Sequence, residues 1–286
     1  MTDAEAIARP ASQIRAKVTT FEDGTFTDRT DQLATEEPLE IRVVIAGESR
    51  TVAVTMRTPG ADFELAVGFL YGEGVIDRRS QVVQVSYCID KDLPADQLYN
   101  IVMVEIDPLS RPDLRPLERH FYTSSACGVC GKANLEAIAL RGTTQLPPGP
   151  VVSTDVLTRL PDDLRAAQKV FSATGGLHAA GLFEADGSLV ATKEDVGRHN
   201  ALDKLVGWAL LEELLPLDHH VVMVSGRSSF EIAQKCLAAR VPILCSVSAP
   251  SSLAVGVANE FGMTLVGFVR NGRLNVYEGK ERIKGL

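Results

Sequence analysis

Two cysteines three positions apart, Cys127 and Cys130, lie in the segment Ser124-Ser125-Ala126-Cys127-Gly128-Val129-Cys130-Gly131-Lys132. A thiol acts as a nucleophile only as the thiolate. Glycines inside and after the pair give an exposed, pliable turn, and a helical pattern follows over residues 133–140. A helix N-terminus and Lys132 both favour the thiolate. The pair reads as reactive sulfur, with three chemistries open: half of a zinc site, a redox pair, or a sulfur-handling pair. Structural zinc needs four ligands, usually from two paired motifs, and this chain has one. His178 and His199 would complete a site only through tertiary folding. Zinc nucleobase deaminases carry His-x-Glu and Pro-Cys-x-x-Cys, whereas here His178-Ala179-Ala180 and Ala126-Cys127 stand in those places. Cys236 in a helical pattern and Cys245 in an apolar run read as core residues. Cys88 closes a strand and carries no signal.

Four further segments concentrate glycine, serine and charge: Thr174-Gly175-Gly176-Leu177-His178, Glu194-Asp195-Val196-Gly197-Arg198-His199-Asn200, Ser225-Gly226-Arg227-Ser228-Ser229 and Ser248-Ala249-Pro250-Ser251-Ser252. Each falls at a junction between a strand and a helix. In an open α/β sheet such loops line one crevice at the carboxyl ends of the strands. Helix-start N–H groups favour anions there, and Arg198 and Arg227 add bidentate charge. The expected ligand is a phosphate or pyrophosphate. Neither the P-loop pattern nor GxGxxG is present. Blander roles exist for single residues. His178 alternates into an apolar strand, Glu194 and Asp195 could cap the helix that follows, Arg227 could be a surface cation, and Ser228 and Ser251 could be caps. His219-His220 reads as solvent-facing.

The elements that must position these groups change character along the chain. Residues 1–35 are polar and aperiodic and read as a loose arm. Residues 36–120 form a strand-rich portion: a hairpin over 39–54 turning at Gly47-Glu48, a helix over 62–71, and strands at 82–87 and 100–106. Residues 121–150 hold the cysteine loop, its helix and a proline-rich linker. Residues 151–286 alternate strand and helix, predicting a three-layer sheet with parallel members. Helices are expected from Ser153 or Thr154 to about Phe171, over 200–215, after a capping box at Ser228–Glu231, and over 251–261. Strands are expected at 177–183, 189–192, 221–224, 242–247 and 265–269, with 274–277 as a hairpin mate across Asn271-Gly272.

At 286 residues the chain fits about two domains. Its 45% hydrophobic and 23% charged residues are ordinary for a globular protein. Five cysteines without framework spacing fit a reducing compartment. No apolar leader and no run near the ~18 apolar residues of a membrane span is present, so membrane insertion is not expected. A net charge of −8 argues against a broad nucleic-acid surface.

Taken together, Ser125 to Gly131, the Thr174-Gly175-Gly176 step with His178, the run Glu194 to Lys204, Ser225-Gly226-Arg227, Ser248 to Ser252 and the tail from Gly267 to Tyr277 resemble the FdhD family, the formate dehydrogenase accessory sulfurtransferases. The resemblance runs from about Glu37 to the C-terminus. It implies an α/β fold of the cytidine-deaminase-like, three-layer mixed-sheet type, without deaminase chemistry. It implies a cytoplasmic homodimer that takes sulfur from a cysteine desulfurase as a persulfide. The sulfur passes to the molybdenum bis(molybdopterin guanine dinucleotide) cofactor of the formate dehydrogenase catalytic subunit, bound as substrate, with GDP as a fragment mimic. The persulfide position maps onto Cys127, with Cys130 auxiliary. The cofactor-binding stretch maps onto Phe268, Val269, Arg270, Asn271, Gly272 and Arg273. Gly175, Gly176, His178, Arg198, Ser225, Gly226, Arg227 and Ser251 are further candidates from the crevice. A CxxC thiol-disulfide oxidoreductase is the alternative. It would require a thioredoxin-like βαβ before the pair, where residues 111–125 are instead proline-rich and loop-like. A structural zinc module is third.

Overall fold

The computed structural model describes residues 9–88, 98–114 and 144–286. Cys127, Cys130 and the helical pattern behind them lie outside the described residues. Residues 13–34, expected to belong to a loose arm, instead form a hairpin of β1 (Gln13–Glu22) and β2 (Thr25–Ala34). Its turn is Asp23-Gly24, with φ of 49° and 79°. Two positive φ values make the tight connection whose twist matches paired strands. Hydrophobic alternation missed the hairpin because neither face is dry: Phe21 and Phe26 are both exposed, their rings tilted at 45° with centroids 4.8 Å apart.

β3 (Glu37–Ile45) and β4 (Glu48–Arg57) form the expected hairpin, turning at Ala46-Gly47, one residue earlier than the sequence suggested. With β5 (Val82–Tyr87) and β6 (Ile101–Ile106) they make a four-stranded sheet in the order β4-β3-β6-β5. Its inner side chains, among them Leu39, Ile41, Val43 and Val104, pack on Leu65, Ala66 and Leu70 of α1 (Asp62–Gly72). These two layers bury one apolar core.

The C-terminal portion opens with β7 (Val152–Ser153), α2 (Thr154–Ala167) and α3 (Lys169–Thr174). One helix was expected here; Gln168 interrupts it, and the carboxylate of Glu194 accepts the N–H groups of Val170 and Phe171 at 3.1 and 2.8 Å. A cap supplied from 24 residues away leaves no local signal. Then follow β8 (His178–Phe183), β9 (Leu189–Asp195), α4 (Arg198–Leu211), β10 (Val221–Val224), α5 (Phe230–Ala238), β11 (Ile243–Ser246), α6 (Ser252–Phe261), β12 (Thr264–Arg270), β13 (Arg273–Glu278) and the short β14 (Ile283–Lys284). The six-stranded sheet runs β13-β12-β11-β10-β8-β9. β10, β11 and β12 are parallel, while β8, β9 and β13 are antiparallel to their neighbours. Helices α4, α5 and α6 bury Leu202, Leu205, Ile232 and Val257 on one face. Leu157, Leu160 and Leu164 of α2 cover the other. This is the α/β, three-layer mixed sheet that the alternation of elements predicted.

α4 serves both cores, because Leu210 joins the N-terminal cluster while Leu202 and Leu205 join the C-terminal one. α1 and α4 cross backbone to backbone. A Cβ on Gly68 would lie 1.9 Å from the Asp203 carbonyl oxygen, and one on Gly207 the same distance from that of Glu64. Only glycine at both positions lets the helices meet.

Candidate functional site

β10, β11 and β12 end at one edge of the large sheet, and the antiparallel register brings the start of β8 and the end of β9 to the same edge. The loops singled out in the sequence therefore converge. Ser225, just past β10, accepts the Ala179 N–H through Oγ at 2.9 Å, and its own N–H donates to the Ala179 carbonyl at 3.0 Å. At Gly226 a Cβ would sit 3.5 Å from Nδ1 of His178 and 3.7 Å from Cδ of Arg198. The Ser248 N–H donates to the Gly226 carbonyl, that of Ser251 to Ser228, and that of Phe268 to Ser248. Three strand-end loops are thus laced into one floor.

Two donors on this floor lack a partner among the described residues. Ser228 is fully buried and its Oγ is unpaired; Nε of Arg198 is buried and unpaired as well. Buried polar groups are nearly always hydrogen-bonded, so the unpaired Nε of Arg198, on a half-buried side chain, favours an acceptor beside it, while Ser228 Oγ is enclosed by the protein. Burial holds the pKa of His178 below its ordinary value of 6.5, and the charge of Arg198 adds to the effect. His178 is therefore neutral at pH 7 and can donate or accept.

The other candidates divide. Ser251 is the N-cap of α6, accepting the Ala254 N–H at 3.2 Å. Gly175 closes α3 with φ 70°, a structural role, and Gly176 follows it. Arg227 is exposed. In the stretch 268–273, Asn271-Gly272 is the two-residue turn between β12 and β13, with φ of 52° and 69°. Arg270 and Arg273 stand directly opposite each other and are exposed. Like charges across a strand pair repel, and an anion between them would relieve this. Phe268 adopts φ 54° at a register shift, and the Arg270 guanidinium lies 5.8 Å from its ring. The side chain of Val269 is fully buried in the core, so it offers a ligand only its backbone. β12 and β8 are three strand spacings apart, about 14 Å, which suits a ligand of dinucleotide length.

Several residues hold the site in roles the sequence had not assigned to them. Asp195, fully buried, pairs with Lys204 at 2.7 Å and accepts the N–H groups of Thr58 and Gly197 and the amide of Asn200. Lys204 also donates to the Thr58 carbonyl at 2.8 Å. The Thr58-Pro59-Gly60 break is thereby tied to the start of α4. Glu194 thus caps α3, which precedes it, and Asp195 anchors the portions together; neither caps the helix that follows, as the sequence had allowed. Arg57, also fully buried, donates to Asp62, Glu37, Asn100 and the Tyr99 carbonyl. The capping box expected at Ser228–Glu231 is not formed. Ser229 is the N-cap residue of α5, and its Oγ donates to Glu231 at 3.1 Å and lies 3.1 Å from Nε2 of His199. His219 is exposed as expected, whereas the His220 side chain is mostly buried and lies 3.5 Å from Glu184. Burial pushes the Cys236 and Cys245 thiols far up, which removes them as nucleophiles. Among the described residues no cluster of three or more His, Cys, Asp or Glu is placed to hold a metal ion, and no helix is long and apolar enough to cross a membrane.

Comparison with known proteins gives a consistent picture. A model of the FdhD/NarQ family matches residues 34–284. The chain is 51% identical over 274 residues to the sulfur carrier protein FdhD of Streptomyces coelicolor, with 94% of this chain and 95% of the relative covered. Against the sulfur carrier protein FdhD of Mycobacterium tuberculosis identity is 49% over 261 residues, covering 89% and 92%. Against that of Sulfurisphaera tokodaii it is 44% over 270 residues, covering 94% and 98%. A crystal structure described as a formate dehydrogenase accessory protein from Desulfotalea psychrophila superposes with a TM-score of 0.72 at 25% identity, covering 95% of this chain and 99% of that one.

Proposed function

The chain belongs to the FdhD/NarQ family, and on that footing we propose that it is a sulfur carrier required for formate dehydrogenase activity. Cys127 attacks the terminal sulfur of a cysteine desulfurase persulfide; the desulfurase cysteine leaves as thiolate, and Cys127 becomes the persulfide. The Cys130 thiolate then attacks the inner sulfur of Cys127; the Cys127 persulfide bond breaks, a Cys127–Cys130 disulfide forms, and the outer sulfur leaves as sulfide to the molybdenum bis(molybdopterin guanine dinucleotide) substrate before its insertion into the formate dehydrogenase catalytic subunit. Cys130 assists. The protein works in the cytoplasm as a homodimer.

One observation carries the binding half of this reading: the unpaired Nε of Arg198 near a His178 whose pKa burial holds down, where the strand-end loops converge around Gly226. A pyrophosphate supplies the acceptor this Nε lacks. The Arg270–Arg273 pair at the far end of the crevice suits a second phosphate or a guanine edge.

The test has two arms. Intact mass is measured after incubation with a desulfurase and free cysteine. The parent should gain the mass of one sulfur atom and Cys127→Ala should gain none. Loss of two hydrogens with no sulfur gained at any time would mark the disulfide of an oxidoreductase and overturn the reading. GDP is then titrated calorimetrically. Arg270→Glu and Arg273→Glu should each weaken it about tenfold or more, as expected for losing a charged hydrogen bond. Unchanged affinity with the fold intact would remove the turn from the site.

A further inference from the structure

A groove of about 500 Å³ opens between β4 and the helices α4 and α5; of the segments expected to line the crevice, only His199 and Asn200 reach it, and they face the groove instead. Four consecutive residues of β4 border it: Val52, Ala53, Val54 and Thr55. Successive side chains of a strand point to opposite faces. Four in a row can border one groove only along the edge of the strand. β4 is the end strand of its sheet. Among the described residues, no hydrogen bond outside the ladder with β3 reaches the backbone of residues 52–55.

Sheet proteins normally guard such an edge with charge, proline or covering structure. Here Thr51 to Met56 is an uncharged run in which Thr51, Val52, Val54 and Thr55 are β-branched. Val54 is 65% exposed and Met56 46%. A register shift opposite Ile41 and Arg42 accompanies the inward turn of Val52, and Leu65 and Phe69 of α1 supply further apolar lining.

The helical wall is polar and acidic. Lys235 is tied to Asp203 at 2.7 Å, both buried, so that charge is matched within the wall. Glu231 stands at the mouth with its side chain 57% exposed, 3.3 Å from Nε2 of His199. The hydrogen bond from His199 holds its pKa down to about 2, so it is ionised throughout the physiological range.

We propose that this edge takes an extended segment of a partner protein as an added strand, with apolar side chains set into the groove and a lysine or arginine meeting Glu231. Backbone pairing would supply affinity and the groove would supply the choice of side chain, as in other cases of strand addition. The proposal stands apart from the sulfur-carrier reading, since it uses neither the cysteines nor the crevice.

The probe is a fluorescein-labelled, end-blocked peptide, Thr-Val-Lys-Val-Thr, titrated against the full chain to about 1 mM, a range that covers weak but specific contacts. Two control peptides replace the lysine by glutamate or carry N-methyl groups on alternate amides. Saturable binding of the parent peptide is expected, with slowed amide exchange confined to residues 52–55. Both control peptides, and Glu231→Gln with the parent peptide, should bind about tenfold more weakly. Equal binding of the N-methylated peptide would show that the edge is not used and overturn the proposal. So would the absence of binding by the parent peptide, or concentration-dependent protection of 52–55 without peptide, which would assign the groove to a second copy of the chain.

Discussion

Replacing Gly68 by alanine tests the joint that holds the two sheets around α4. The new methyl would lie 1.9 Å from the Asp203 carbonyl oxygen, 2.7 Å from its carbon and 2.8 Å from the Gly207 nitrogen. All three obstacles are backbone atoms inside a helix, so none can rotate aside. Ordinary contact begins near 3.4 Å, so α1 and α4 must part by about 1.5 Å, opening a well-packed interior. Overpacking typically costs about 1–3 kcal/mol and occasionally more, and rigid backbone obstacles place this case at about 4 kcal/mol. Alanine's better helix propensity returns about 1 kcal/mol. The net loss should be about 3 kcal/mol. For 286 residues the unfolding entropy is about 0.6 kcal/mol per degree, so the melting temperature should fall by about 5 °C. Calorimetry or circular dichroism would read this. Gly176→Ala is the control, because its methyl would meet nothing closer than the Cβ of Ala34 at 3.6 Å; it should stay within about 1 kcal/mol. The double variant with Gly207→Ala should lose less than the sum, since one separation relieves both clashes. Melting of Gly68→Ala within about a degree of the parent would refute the backbone-contact argument.

Two further outcomes follow from the buried charges. Lys204→Met leaves Asp195 buried without its counter-ion and should cost about 3–5 kcal/mol; adding Asp195→Asn should restore part of that, read by denaturant unfolding. His178 has a folded pKa below 6.5, so near pH 6 the folded chain binds fewer protons than the unfolded one. Its contribution to stability is therefore complete above about pH 6.5 and shrinks as pH falls below that value. His178→Gln should flatten the decline in melting temperature between about pH 7.5 and 5.5, and an unchanged slope would show that other groups set it.

The large sheet was legible because its inner strands are buried on both faces. The run Val221–Val224 and the breaks at Gly226, Pro250 and Asn271-Gly272 left few alternatives. The convergence of loops at one edge followed from strand direction alone, before any side chain was placed. The β1–β2 hairpin was missed because the period-2 signal needs a dry face, although Asp23-Gly24 was a usable turn cue. The break at Gln168 was missed because its cap, Glu194, is distant in sequence. The Asp195–Lys204–Thr58 anchor and the Gly68–Gly207 crossing depend on tertiary approach, which one sequence does not display. Val269 shows the limit of carrying a motif over whole: its neighbours face solvent while its own side chain belongs to the core.

The segment from Glu194 to Asn200 concentrates roles that a mutational survey would confuse. Asp195 is buried and works through Lys204 and Thr58. Arg198 opens α4 on the crevice side, beside Gly226 and His178. His199, one residue on, turns about 100° around the helix and borders the β4 groove instead. Loss of activity on changing any one of them therefore says little about ligand contact. Two substitutions separate the possibilities. Asp195→Asn keeps the shape and removes the buried charge, so it should lower the melting temperature first, by leaving Lys204 unpaired, with GDP affinity falling only as the fold loosens. Arg198→Lys keeps the charge but gives up the guanidinium fork and its unpaired Nε–H. It should weaken GDP about tenfold or more at an unchanged melting temperature. If Arg198→Lys instead lowers the melting temperature as far as Asp195→Asn does, the orphaned donor is structural, and the crevice loses its strongest claim to an anion.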